Sequence, residues 1–247
     1  MVDADLSTIT SEADKILRVE EPSPWIVHVE FQSSYNQELP LRLQRYNILA
    51  HYRHKLPVQS VVVLLREEAD GPPLTGLLEH RLPDGLLYHE FRYNVVRVWE
   101  RPVQEILSGD LATLPLAPIT QVSLGELPRV IQLMDERIER EASPADRPDI
   151  WTATFLLMGL IYPETLFNTL LQGKSYMRES STYQAILREG RTEEARRMLL
   201  QHGRKHLGPP SPTFEAIVAA LTDVDQIEEL SVRSSDVSSW EELFARR

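Results

Sequence analysis

Residues Trp25–Gln32 read WIVHVEFQ, and residues 58–65 read VQSVVVLL. The first run alternates. Trp25, Val27, Val29 and Phe31 point one way, while Ile26, His28, Glu30 and Gln32 point the other, which is the period of a strand. The second run has a continuous apolar core, as in a strand covered on both faces in the middle of an α/β sheet. Between them, residues 39–55 (LPLRLQRYNILAHYRHK) contain no Gly. Leu39, Leu43, Tyr46 and Ala50 recur there at helical spacing, with Leu49 beside them. Pro40 sits where a first helical turn tolerates it, and Pro57 lies just past the end. Strand, helix, strand is the crossover a parallel pair requires.

Around it, residues 14–19 (DKILRV) predict a further strand, turned into the next by Pro22, Ser23 and Pro24. Residues 6–10 are a short candidate strand. Residues 86–99 alternate loosely after the turn Pro83-Asp84-Gly85. Past residue 120 the pattern turns helical: 124–142, 150–171 interrupted by Pro163, 183–200, 214–221, and a tail helix reaching Phe244. Ser239 lies three residues before Glu242, the spacing of a capping box. The expected organisation is a mixed α/β core over 1–120 followed by a helical region over 121–247.

Asp14 and Glu30 fall on adjacent predicted strands joined by a short turn, and Gln32 shares the face of Glu30. Two carboxylates on one sheet face are costly without a cation between them. Mg²⁺ suits such a place, because it needs hard oxygen ligands and often takes only one or two carboxylates. The chain carries 26 basic and 37 acidic residues, a net −11, so a whole-chain attraction to nucleic acid is excluded and only a local patch serves. Such a patch exists. Residues 39–66 hold Arg42, Arg45, Arg53, Lys55 and Arg66 without one Asp or Glu, and add His51 and His54.

These residues resemble a known family. A D…E-x-Q motif, then a helix with an Arg-Tyr pair, then a strand, is similar to the PD-(D/E)XK nuclease superfamily, and most to its bacterial recombination-promoting nuclease and transposase-like branch. The matching strings are EADKILRV, WIVHVEFQSS, LPLRLQRYNILAHYRHKLPVQSVVVLLR, LEHRLPDG, FRYNVVRVWE, WTATFLLMGLIYPE and TYQAILREGR. The closing DVSSWEELF resembles a helical C-terminal domain of unknown function that often ends such chains. The resemblance implies a restriction-endonuclease-like mixed sheet and metal-dependent hydrolysis of DNA phosphodiesters, linked to recombination or transposition. It gives Asp14 and Glu30 the metal (Mg²⁺ or Mn²⁺), and Gln32 the place usually held by Lys. The Phe31 carbonyl would complete the metal shell. Arg45 would meet a phosphate or a site carboxylate, and Tyr46 would pack nearby. Arg42, Arg45 and Arg53 are the expected contacts to DNA phosphates.

Thirteen residues precede Asp14 and read as a strand, so the helix that opens the superfamily core is expected to be missing. Glu12, two residues before Asp14, is a weak substitute for the acid that helix often supplies. A catalytically degenerate module that binds or assembles through its helical half is the rival reading. A homodimer would suit a one-site enzyme that cuts both strands.

Zero Cys excludes disulfides, thiolate zinc sites and thiol catalysis, and is compatible with a reducing cytosol. Asp3 and Asp5 with no basic n-region argue against a signal peptide, and the near-apolar run 150–162 is too short to span a bilayer. A cytoplasmic protein is therefore expected. His51-x-x-His54 and His202-x₃-His206 have helical metal spacing but no further ligand in sight, so both read as incidental. No G-x-S-x-G, P-loop or G-x-G-x-x-G motif occurs.

Overall fold

The computed structural model describes residues 15–20, 22–171 and 180–245. It is a mixed α/β chain with a small mixed sheet and several helices. The expected strand over 6–10, together with Glu12 and Asp14, lies outside the described residues. Two compact units are present, Met1–Lys174 and Ser175–Arg247.

In the first unit, β1 (Lys15–Val19) pairs antiparallel with β2 (Trp25–Gln32), Lys15 facing Val29 and Val19 facing Trp25. After β2 comes helix α1 (Leu39–His54), then β3 (Val58–Leu64). β3 pairs parallel with β2, Ile26 facing Val58 and Gln32 facing Leu64. The crossover is thus the one the periodicities demand. Pro40 lies in the first turn of α1. The helix ends where Lys55 turns left-handed (φ 58°) and donates its N–H to the His51 carbonyl.

The expected single strand over 86–99 is two strands. β5 (Leu87–Arg92) forms a hairpin with β4 (Leu77–Arg81), which the sequence reading missed, and β6 (Asn94–Arg97) joins β3 in parallel. The break is at Tyr93, whose N–H donates to the Gly76 carbonyl and whose hydroxyl donates to that of Pro73. Its ring stacks on Phe91 in the core. Alternation continued through Tyr93 and hid the change of sheet. The main sheet runs β1-β2-β3-β6.

Both faces of β3 are covered, as its continuous apolar core predicts. Val62 and Leu64 pack with Leu39 and Leu43 of α1, Phe91 and Tyr93 on one side. On the other, Val63 meets a cluster built on Leu65, Val98 and Ile119, which also takes in Leu157, Leu160 and Tyr162. These last residues correct the boundary expected at 120. After α2 (Val103–Ser108) and a 3-10 stretch (Leu111–Ile119), helices α3 (Leu127–Glu141), α4 (Arg147–Gly159) and α5 (Glu164–Leu170) belong to the same compact unit as the sheet. The Tyr162 hydroxyl donates to the Pro118 carbonyl at 2.7 Å. Residue 120 marks a change from strand to helix, not the end of a core. The apolar stripe of α3, Leu127, Val130, Ile131, Met134 and Ile138, is buried within the unit. It is core.

The second unit is helical: α6 (Ser181–Leu207), α7 (Pro212–Ala220), α8 (Val224–Arg233) and α9 (Trp240–Phe244). Its core gathers Ala195 and Leu199 of α6, Val218, Ile227, Leu230, Trp240 and Leu243. The cap of α9 forms as its spacing predicts: Ser239 Oγ accepts from the Glu242 N–H, while the Glu242 carboxylate accepts from Ser238. α8 was not legible in the sequence; Asp223 caps it by accepting from Asp225 and Gln226.

Candidate functional site

The polar row of β2 is its buried row. Ile26, His28 and Glu30 are all buried beneath α1, whereas Phe31 on the apolar row is 43% exposed. The alternation was read correctly, but its more polar face lies inward. That excludes Glu30 as an ordinary surface carboxylate: it is 1% exposed.

A buried carboxylate needs a partner, and α1 supplies it. Arg42 Nη2 donates to Glu30 Oε2 at 2.9 Å. Arg45, expected to meet a phosphate or a site carboxylate, is exposed and stands with Arg42, Asn36, Glu38 and Leu41 around a surface depression. The two arginines are three residues apart, about 60° on a helix. Burial of Leu39, Leu43 and Ala50 sets the helix rotation that aims Arg42, not Arg45, at the sheet. Arg42, expected as a contact to DNA phosphate, has its Nη2 held by Glu30.

Behind Glu30 runs a chain of polar groups. His28 Nε2 lies 3.5 Å from Glu30 Oε1, and His28 Nδ1 lies 3.0 Å from Ser60 Oγ. Asn47 Nδ2 donates to Ser60 Oγ at 3.1 Å and to the Val58 carbonyl at 2.9 Å. Tyr46 is half-buried and meets His28 edge-on, ring centroids 5.4 Å apart, so it packs near the site as expected. His28 and Ser60 were missed by sequence reasoning. The available signal was that parallel pairing sets His28 directly beside Ser60.

Gln32 follows Glu30 on the same face at the end of β2 and is half-buried. Its carbonyl accepts from Leu65 N–H. Arg53, His51 and His54 are exposed near the end of α1, and Lys55 Nζ sits 4.1 Å from the centre of the Tyr52 ring. His51 Nδ1 lies 2.7 Å from the Leu56 carbonyl, and His202 Nδ1 lies 3.2 Å from Ser231 Oγ. Arg66, counted in the basic patch, ties loops together through the Ser33 and Leu160 carbonyls. The Arg and Lys residues of the patch that are fully exposed are Arg45, Arg53 and Lys55.

No group of three or more His, Cys, Asp or Glu converges among the described residues. A hard cation that takes one or two carboxylates does not need such a group. Glu30 would offer one carboxylate to such an ion, and its Oε2 is paired with the Arg42 guanidinium. Among the described residues no helix is long and apolar enough to cross a membrane. A scan against protein-family models finds no match, and searches of curated proteins and of solved structures find none either.

Proposed function

We propose that the chain is a metal-dependent endonuclease acting on DNA phosphodiesters, built on a PD-(D/E)XK-like core. The observation that carries this reading is Glu30: a carboxylate only 1% exposed near the end of β2, on the face of Gln32, behind a helix that exposes Arg45 and Arg53. The topology supports it. The antiparallel strand pair, the helix and the parallel strand follow in the order the family resemblance implies. The β1–β2 register sets Lys15 against Val29.

Asp14 and Glu30 would hold Mg²⁺ or Mn²⁺. Such an ion lowers the pKa of bound water and offsets charge on a phosphodiester. Gln32 would orient the attacking water or a phosphate oxygen through its amide dipole. Arg45 and Arg53 would hold the DNA backbone electrostatically. Arg42 would hold the Glu30 side chain in place before the metal enters. The link to recombination or transposition rests on the resemblance alone.

One observation favours a second reading, a degenerate module that binds or assembles without cutting. Arg42 occupies the Glu30 oxygen that a metal would need. Plasmid nicking in Mg²⁺ or Mn²⁺ separates the two. Nicking by the parent that is lost in Glu30→Ala and in Asp14→Ala supports the nuclease. No nicking, with no Mn²⁺ uptake by calorimetry, supports the module.

A further inference from the structure

We propose that the long helix α6 is a self-association surface. Two copies of this chain pair through it antiparallel, and the first half of each helix lies in the groove between α6 and α8 of the other. The inference concerns the second unit alone and is independent of the nuclease reading.

α6 is 27 residues long, about 40 Å at the helical rise, but only its later part is packed. Its buried residues are Ala195, Leu199 and Gly203. α8 runs beside that part. Arg196 Nε donates to the Leu221 carbonyl at 2.7 Å, just ahead of α8, and Ser231 of α8 stands by His202. Residues 181–194 bury no side chain, yet they carry Ile186 and Leu187, 41% and 39% exposed. Helices in proteins hold mainly by packing an apolar face, so this half of α6 calls for a partner. A receiving surface lies on the same helix. An open groove of about 1270 Å³ follows α6 and α8, with Met198 and Val232 exposed in it and Asp225 and Glu228 on its wall.

The order of side chains along α6 selects a second copy as the occupant. Leu187, Arg191, Glu194 and Met198 follow one another at alternating intervals of four and three residues, the spacing of a coiled-coil seam. They fall within an arc of about 60°, and all four are exposed. Read backwards, the seam is complementary to itself. Laid antiparallel on a second α6, Leu187 meets Met198 of the other copy and Arg191 meets Glu194, each contact occurring twice about the two-fold axis. A parallel pair in register would instead set Arg191 against Arg191 and Glu194 against Glu194. Among the described residues Arg191 makes no ion pair, and Glu194 pairs with Arg197 of its own helix. That pair is exposed and contributes little, so it yields to a covered one. The same register decides what enters the groove. Residues 181–190 of one helix come to lie along 195–204 of the other, where α8 stands. Ile186 and Arg188 then meet Val224, Asp225 and Glu228, so apolar contact and opposite charge coincide.

The test uses the full chain. Sedimentation equilibrium measures self-association of the parent and its variants, with circular dichroism run on each. The parent is expected to show a monomer–dimer equilibrium. Arg191→Glu and Glu194→Arg each set two like-charge contacts across the axis and weaken the dimer by at least about 10-fold. The two changes in one chain reverse both partners together and restore most of the affinity. The chain has no Cys of its own, so introduced thiols report the register. Leu187→Cys combined with Met198→Cys cross-links the dimer under mild oxidation. Either change alone does not, because like positions lie about 16 Å apart along the antiparallel pair, beyond disulfide reach. If a charge variant fails to fold, the cysteine series decides. A parent that stays monomeric into the high micromolar range overturns the inference. So does a dimer whose affinity neither charge reversal changes, or one in which a single cysteine cross-links as readily as the pair.

Discussion

Arg42 Nη2 stands 2.9 Å from Glu30 Oε2, and the carboxylate it meets is 1% exposed. This contact offsets the cost of an ionised group under a helix. Removing one partner of such a pair leaves a stranded charge, at about 3–5 kcal/mol; the partly exposed Arg42 puts the cost near ~3. Arg42→Met is therefore expected to lower stability by about that much in urea unfolding, and adding Glu30→Gln should recover a large part. Unchanged stability in Arg42→Met would mean that Glu30 does not depend on this guanidinium.

Asp70 and Arg97 form a second pair, Nε to Oδ2 at 2.7 Å and Nη2 to Oδ1 at 3.1 Å. The Arg97 hydrogen bond is the main cause that holds the Asp70 carboxyl below its ordinary value; the Gly71 N–H adds to it, against a penalty from burial. A carboxyl depressed on folding contributes stability above its unfolded pKa of about 3.9, and that contribution is lost as pH falls through the lower folded value. Arg97→Gln should thus cost about 1–3 kcal/mol at pH 7 and progressively less below about pH 4. Urea unfolding of parent and variant at pH 7 and pH 3 measures the difference, and a gap that widens in acid contradicts the pairing.

In the helical unit, a Cβ at Gly203 would lie 2.1 Å from Trp240 Cη2. The ring cannot retreat freely, because Trp240 Nε1 donates to the Gly208 carbonyl at 3.0 Å. Gly203→Ala gains up to about 1 kcal/mol of helix propensity but overpacks the core by about 1–3. Net destabilisation of this unit is expected in thermal unfolding followed by circular dichroism. A stabilised variant would show that the indole moves aside.

If the outer face of α1 meets DNA, salt dependence reports it. Arg45→Ala with Arg53→Ala should reduce the slope of log affinity against log salt by about 2, from roughly 0.9 per lost phosphate contact. Fluorescence anisotropy with duplex DNA between low and moderate salt measures that slope. A slope unaltered by the double change moves the DNA surface elsewhere.

Gln32 bears on metal dependence. In the proposed nuclease an amide would offer the attacking water only a dipole where a lysine would offer a full charge, so a divalent ion would carry more of the electrostatic stabilisation. Nicking is expected to vanish in EDTA and to return with Mg²⁺ or Mn²⁺. Full activity without metal would refute the assigned chemistry.

Much of the first unit was legible because its signals are local. The alternation in Trp25–Gln32, the helical spacing after it and the apolar run in Val58–Leu64 each depend on neighbours within one element. Pro40 and Ser239 marked helix starts for the same reason. Tyr93 misled because strand periodicity carries no information on which sheet a strand joins. Residue 120 misled because a change of element type is not a change of core: Leu157 and Tyr162 pack with Leu65 and Val98 regardless.

By itself, then, the sequence determined the strand–helix–strand crossover, the shared face of His28, Glu30 and Gln32, and the basic character of α1, since covalent spacing and side-chain period suffice for each. Only the tertiary structure decided that this polar face turns inward, that Arg42 rather than Arg45 meets Glu30, and that Ser60 stands beside His28. The reason is that helix rotation and strand register are set by how distant surfaces pack, and a 60° choice between two arginines leaves no trace in the spacing of either.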